Sequence, residues 1–208
     1  MTFPDLKEQM GLGPKLNMRR IEKAYLLANK VHKGQKRRSG DPFIVHPLEV
    51  ASIIHRIGGS ENMICAALLH DVIEDTRGEE KENMCDKIYN EFGIDIFFLV
   101  QALSKDIRIE NNGDRQEEYI DRMEEAFHID SSIFLLKMAD LLHNIATLSE
   151  LPKERQRKWI HELKTKYMPL LQNNFHKISF HYHDMYLHLI NEIESVIEKY
   201  EKKLSLKK

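Results

Sequence analysis

The sequence predicts an all-α fold. Glycine (9) and proline (6) are scarce among its 208 residues. Strong helix formers (Leu, Lys, Glu, Ile) are frequent, and apolar residues recur at helical spacing along most of the chain. With 42% hydrophobic and 31% charged residues, the chain can bury a core without staples and lacks the composition of disorder. Its length suits one domain, or one domain with a helical extension.

The elements follow in order. Residues 1–15 read as a loose N-terminal arm running through Gly13-Pro14. Residues 16–32 form a helix, with Ile21, Ala24, Tyr25, Ala28 and Val31 on one stripe. Lys33 to Phe43 is a basic loop with Pro42 as a breaker. A second helix starts near Pro47, a residue suited to a first turn, and stops at Gly58-Gly59. Ser60 caps a third helix that carries Ile64, Ala67, Leu68, Val72 and Ile73, so His70 to Thr76 are expected to be helical. A polar stretch from Thr76 to Asn83 precedes helices at about 84–91, 94–104, 114–128 and 131–149, with Asp106 to Gly113 as a mobile polar loop. Beyond Pro152 two long helices are expected, about 153–172 and 175–203. The second is amphipathic through Met185, Leu189, Ile193 and Ile197. The organisation is therefore an arm (1–15), a core (16–150), and C-terminal helices (151–208) that complete the domain or form an oligomer contact, a homodimer being the simplest.

Charge and cysteine usage exclude several classes. The formal net charge is −2, from 31 basic and 33 acidic residues, which provides no general field for nucleic acid or an anionic membrane. Any phosphate ligand must be drawn by a local cluster. No apolar run is long enough to span a bilayer, and Met1 to Met10 lacks the core of a signal peptide. Cys65 and Cys85 have no ligand-like spacing and read as free thiols in a reducing cytoplasm.

Three segments carry chemistry. In His70-Asp71-Val72-Ile73-Glu74-Asp75-Thr76, three carboxylates and an imidazole follow an apolar run. On a helix, His70 would share a face with Glu74, and Asp71 with Asp75. A divalent cation is the usual way to hold such charge together, although a His-Asp pair alone is more often structural. In Lys137-Met138-Ala139-Asp140-Leu141-Leu142-His143-Asn144, Asp140 lies in an apolar helix, where burial without a partner is costly. A metal would satisfy it, as would a cap or a salt bridge to Lys137. His143 could itself be a ligand, but is expected rather to support one as a hydrogen-bond donor. The third segment, Gly34 to Pro47, joins Lys36, Arg37 and Arg38 to His46, which stands ahead of a helix-starting proline and can turn its ring into the site. Guanidinium groups suit phosphate binding and base stacking, although a basic loop by itself is ordinarily solvated.

Together these segments resemble the hydrolase domain of the RelA/SpoT family, an HD-domain helical bundle. The likeness covers residues 20–150. It rests on Arg37-x-Ser39-Gly40, His46-Pro47, Ala66 to Thr76, Glu91-Phe92-Gly93, and the run from Ala139 to Leu148. The resemblance implies hydrolysis of the guanosine alarmones ppGpp and pppGpp at the 3′-pyrophosphate. It implies one divalent metal ion, usually Mn²⁺, held by His46, His70, Asp71 and Asp140, and it assigns Glu74 and Asp75 to catalysis. Arg37, Arg38 and Ser39 would meet the nucleotide, while Asn144, Thr147 and Leu148 would line its pocket. Lys105, Arg115 and Tyr119 are candidates for the distal phosphates, although they read equally well as solvated helix ends.

Two positions depart from the family's pattern. Leu141 and Ala146 stand where members commonly carry arginine, which leaves the phosphate pattern of the substrate open. The chain ends before a synthetase domain could follow, so hydrolysis without synthesis is expected. Two other readings remain at this point: a phosphatase acting on another phosphorylated nucleotide, and a silent nucleotide-binding module. The C-terminal histidines His176, His181, His183 and His188 are expected at the surface or in packing, since the spacing of His181 and His183 puts them on different helix faces.

Overall fold

The computed structural model describes residues 1–11, 16–76, 79–105 and 112–205, with 112–117 and 205 described by backbone alone. Helices account for its architecture: α1 (Phe3–Met10), α2 (Met18–Val31), α3 (Val45–Arg56), α4 (Glu61–Leu69), α5 (Glu79–Phe92), α6 (Ile94–Leu103), α7 (Asn112–Ile129), α8 (Ser132–Ala146), α9 (Lys153–Glu162), α10 (Met168–Asn173) and α11 (His183–Ser205). Among the described residues the only extended pairing is an isolated bridge between Lys36 and Pro42. The expected all-α class is borne out.

The centre of the bundle is α4. Every residue from Met63 to Leu69 is buried, so this helix is apolar on all sides and must be surrounded. It packs against α2, α3, α6 and α8. Ser60 caps it as expected, its hydroxyl accepting from the Met63 amide at 3.3 Å. The turn that delivers it from α3 requires both glycines. Gly58 has φ of +85°, and a Cβ on Gly59 would lie 2.4 Å from a methyl carbon of Ile54 and 2.8 Å from its carbonyl oxygen. The second axis is α8, which packs against α3, α4, α6, α7 and α11.

Several boundaries differ from expectation. The N-terminal segment is not a loose arm: Phe3–Met10 form α1, which packs on α3. A Thr2–Asp5 capping box starts it, and Phe3, Leu6 and Met10 are buried. The Phe3 ring stacks on Tyr25 at 4.2 Å. Two turns of helix are too short for periodicity to show, and burial stabilises what propensity alone could not.

Helix α3 begins two residues earlier than expected, so His46 lies within its first turn. Helix α4 ends at Leu69, and His70 to Asp75 form consecutive turns rather than helix, closed by bonds such as Val72 N–H to Leu69 O at 2.9 Å and Asp75 N–H to Asp71 O at 3.0 Å. The stretch expected to be polar coil is helical from Glu79, where three glutamates complement the N-terminal dipole. Most of the loop expected at Asp106 to Gly113 lies outside the described residues.

The C-terminal region is more broken than expected. Pro169 lacks the N–H that an α-helix would bring back to Thr165, and the chain widens into a π turn over Leu163–Tyr167 before α10. Short 3-10 turns at Phe175–Lys177 and Phe180–Tyr182 then delay α11 to His183. Leu189, Ile193 and Ile197 are buried, as the amphipathic pattern predicts. Cys65 and Cys85 are free thiols, and burial pushes Cys65 up to about 12, so it acts as a small apolar side chain.

Leu6 is fully buried in α1, so Leu6→Ala is expected to cost about 2–5 kcal/mol by denaturant titration. Thr2→Ala should cost only about 1 kcal/mol. An unaltered midpoint for Leu6→Ala would show that α1 does not belong to the folded core.

Candidate active site

The side chains expected to bind metal come from three separate parts of the bundle. His46 lies in the first turn of α3, His70 and Asp71 follow the end of α4, and Asp140 is in the middle of α8. Their reactive atoms converge. The two Nε2 atoms of His46 and His70 are 3.2 Å apart. Asp140 Oδ1 is 3.2 Å from His46 Nε2 and 3.9 Å from His70 Nε2. Asp71 Oδ2 is 3.6 Å and 3.3 Å from the same two nitrogens. Ligand atoms of His46, His70 and Asp140 all lie within 4.8 Å of one another.

The hydrogen bonds on the far sides of the rings suit metal ligation. His70 Nδ1–H donates to the Ala67 carbonyl at 2.8 Å, leaving the Nε2 lone pair to face the cluster. His46 turns its Nδ1 to His143 Nδ1 at 2.7 Å, so with its own Nε2 free to bind it donates there. In that tautomer His143 supports the site as an acceptor. It also takes a contact from the Arg37 guanidinium at 3.4 Å. Burial, with His46 and Arg37 alongside, holds His143 down to about 3, so it is neutral at physiological pH.

With both rings carrying their proton on Nδ1, two imidazole lone pairs and two carboxylates face one another as acceptors without a donor. Burial works against charge on both rings. On His46 it prevails and the pKa is lowered; on His70 the carboxylates of Asp71 and Asp140 outweigh burial and raise it. The cluster thus calls for positive charge between the rings, and a mixed nitrogen–oxygen set of this kind fits a divalent cation. Burial would also raise the pKa of Asp140, but Lys137 Nζ at 3.0 Å and the neighbouring imidazoles hold it well below the carboxylate range. Of the partners weighed for Asp140 in the sequence, the salt bridge to Lys137 is therefore formed. Lys137 takes Oδ2, while Oδ1 faces the histidines and accepts from Asn144 Nδ2 at 2.6 Å.

Beside the cluster lies a cavity of about 460 Å³. His46, His70, Asp71 and Asp140 form part of its wall, and Glu74 lies on it too. Burial and the nearby Asp71 raise the pKa of Glu74 above the usual carboxylate range, while the Lys105 amide donates to its Oε2 at 3.3 Å. Arg37, Arg38, Ser39, Lys105, Tyr119, Asn144, Thr147 and Leu148 all line the cavity, as expected of a binding pocket. Arg37 Nη2 donates to Asn144 Oδ1 at 2.7 Å, so one chain of hydrogen bonds runs from the basic loop through Asn144 to Asp140. The side chain of Arg115 lies outside the described residues.

Asp75 is not brought into the cavity; its Oδ2 lies 3.0 Å from Nδ1 of the buried His32. Nor do Leu141 and Ala146 face it. Leu141 is buried in the core and Ala146 is exposed.

Sequence reading missed Phe43, Trp159 and Tyr167 on the wall, and it gave Lys137 no place in the cavity. Tyr167 closes the π turn that follows α9, so regular helical spacing does not link it to Trp159. Lys137 is buried with its ammonium 5.3 Å from the Tyr119 ring centre and 5.1 Å from that of Tyr167, an environment visible only once these elements are packed.

Residues 24–174 match the HD domain family. The chain is 36% identical over 170 residues to the GTP pyrophosphokinase of Streptomyces coelicolor, a match covering 80% of this chain and 20% of that protein. It is 33% identical over 187 residues to the bifunctional (p)ppGpp synthase/hydrolase SpoT of Escherichia coli K12, covering 88% of this chain and 24% of that protein. The chain therefore spans about a fifth to a quarter of the length of these curated relatives. Among solved structures, that of a metazoan ortholog of SpoT that hydrolyzes ppGpp aligns with a TM-score of 0.68 at 21% identity, covering 90% of this chain and 97% of the other; this likeness is one of fold.

Because each carboxylate and imidazole of the cluster must give up a proton to bind a cation, affinity for Mn²⁺ measured by titration calorimetry should fall as pH is lowered through the raised pKa of His70. His70→Ala and Asp140→Ala should each abolish stoichiometric binding. Full binding by either variant would remove that residue from the ligand set.

Proposed function

The chain belongs to the HD domain family, and from that premise we propose that it is a metal-dependent phosphohydrolase whose substrate is ppGpp or pppGpp, cleaved at the 3′-pyrophosphate. The observation that carries this reading is the junction of the acceptor cluster with a cation-lined cavity, in a chain similar to proteins named for this nucleotide. One divalent cation, Mn²⁺ in this proposal, would be held by His46, His70, Asp71 and Asp140. When bound, it supplies the Lewis acidity that makes a water nucleophilic near neutral pH.

The chain's own groups do the rest. Lys36, Arg37, Arg38 and Lys105 place positive charge along the cavity and would orient the diphosphates, while Ser39, Asn144, Thr147 and Leu148 would bound the nucleoside end. Tyr119 supports this wall from behind, donating to the Leu103 carbonyl at 3.1 Å. Glu74 takes the proton from the attacking water, and its raised pKa brings it nearer to the working pH of a general base. Pyrophosphate leaves, and a 3′-hydroxyl remains on GDP or GTP. No helix among the described residues is long and apolar enough to cross a membrane; the cytoplasm is the proposed location. We assign 16–150 to the catalytic core and 151–208 to helices that complete it, since Trp159 and Tyr167 reach the cavity wall.

The test is to incubate the protein with ppGpp, pppGpp and other phosphorylated nucleotides, with Mn²⁺ or with chelator, and to resolve products by ion exchange. Metal-dependent pyrophosphate release from ppGpp is expected. Turnover confined to another nucleotide would move the substrate, and binding without turnover would make the protein a sensor.

Two variants refine the roles. Asp71→Ala should abolish both metal binding and activity. Glu74→Gln should keep the metal and lower kcat by about 100-fold or more. Activity should fall as pH drops through the raised pKa of Glu74, giving an acidic limb above the ordinary glutamate range. Persistence of that limb in Glu74→Gln would assign it to another group.

A further inference from the structure

Beside the cavity, a second polar cluster joins the basic loop to the turn that bears the metal carboxylate. His32 caps the C-terminal end of α2, with its side chain buried. Its Nδ1 hydrogen-bonds Gln35 Oε1 at 3.0 Å and stands 3.0 Å from Asp75 Oδ2, within ion-pair reach. Its Nε2 is buried with no hydrogen-bond partner among the described residues, so Nδ1 provides the ring's polar anchorage there.

Each partner leads to a different part of the site. Gln35 begins the basic loop: its amide donates to the His32 carbonyl at 3.0 Å, and its carbonyl accepts from the Phe43 amide at 3.0 Å, which closes the base of the segment carrying Arg37 and Arg38. Phe43 packs its ring against His32 at 4.6 Å and stands edge-on to His46 at 6.1 Å. Asp75 belongs to the turn after α4, where its amide donates to the Asp71 carbonyl at 3.0 Å. The carboxylate itself is absent from the cavity wall.

We propose that His32 and Asp75 form a clamp that locks the arginine-bearing loop onto the metal-binding turn, and that Asp75 is a positioning residue rather than a proton carrier. A carboxylate committed to a buried imidazole outside the cavity is poorly placed to exchange protons with a water inside it, whereas Glu74 lies on the wall. The clamp instead sets where Arg37 stands relative to Asn144 and Asp140, the hydrogen-bond chain that joins phosphate binding to the metal site. This inference rests on the alarmone-hydrolase reading only for its kinetic arm.

The experiment compares Asp75→Ala, Asp75→Asn and His32→Ala in the full chain. Asparagine keeps a polar oxygen within reach of His32 Nδ1 but cannot act as a base. With ppGpp and Mn²⁺, Asp75→Ala should raise KM by about tenfold, from a charged contact to a buried group lost. Asp75→Asn should recover to within about threefold of wild type. The His32→Ala, Asp75→Ala double variant should lose no more than the worse single variant, as coupled partners do. Independently of any turnover, hydrogen exchange of residues 35–43 should accelerate in Asp75→Ala and not in Asp75→Asn. A fall in kcat of about 100-fold or more in Asp75→Asn, with exchange unaltered, would overturn the clamp and make Asp75 a proton carrier. If wild-type protein turns over no nucleotide, the functional reading fails while the exchange comparison still decides the clamp.

Discussion

The structure depends on one electrostatic demand: two imidazole nitrogens and two carboxylates are brought face to face inside a helical bundle. Left to themselves these groups repel. They are held together because apolar packing forces α3, α4 and α8 into contact, and because three of the four are fixed from behind. The Ala67 carbonyl orients His70, His143 orients His46, and Lys137 with Asn144 orients Asp140. The packing of α4 against four helices is thus what holds the cluster together, and a positive charge at its centre would complete it.

The buried lysine shows how the balance is struck. Burial alone would strip Lys137 of its proton, but two phenol rings and Asp140 outweigh that and keep it charged. The same side chain then serves two neighbours at once, neutralising a carboxylate of the cluster and lending positive charge to the cavity. It also explains why an acidic residue can sit in so apolar a helix without leaving the interior.

Much of this was legible in the sequence. The helical class followed from composition and spacing, and the apolar run before His70 already marked a helix entering the core. What could not be read were features decided by tertiary contact. Helix α1 is two turns long and exists because Phe3, Leu6 and Met10 find a surface to bury. The end of α4 at Leu69 was hidden because Val72 and Ile73 continue the apolar rhythm, yet they are buried from turns rather than from a helix. Asp75 looked like a second carboxylate beside Glu74, and only the fold reveals that it reaches His32. Trp159 was missed because a proline-driven change of helical pitch lies between it and Tyr167, and no periodic template spans such a change.

The glycine pair between α3 and α4 has a consequence for how the protein can vary. Gly58 needs a left-handed backbone, and Gly59 has no room for a side chain against Ile54. The joint is therefore rigid, and it fixes the angle between the helix that carries His46 and the one that leads to His70. Insertions or substitutions there would rotate one imidazole away from the other without touching either. The geometry of the cluster is thus guarded at a surface turn remote from it, and mutational tolerance along this chain should follow the geometry of that joint more closely than distance from the chemistry.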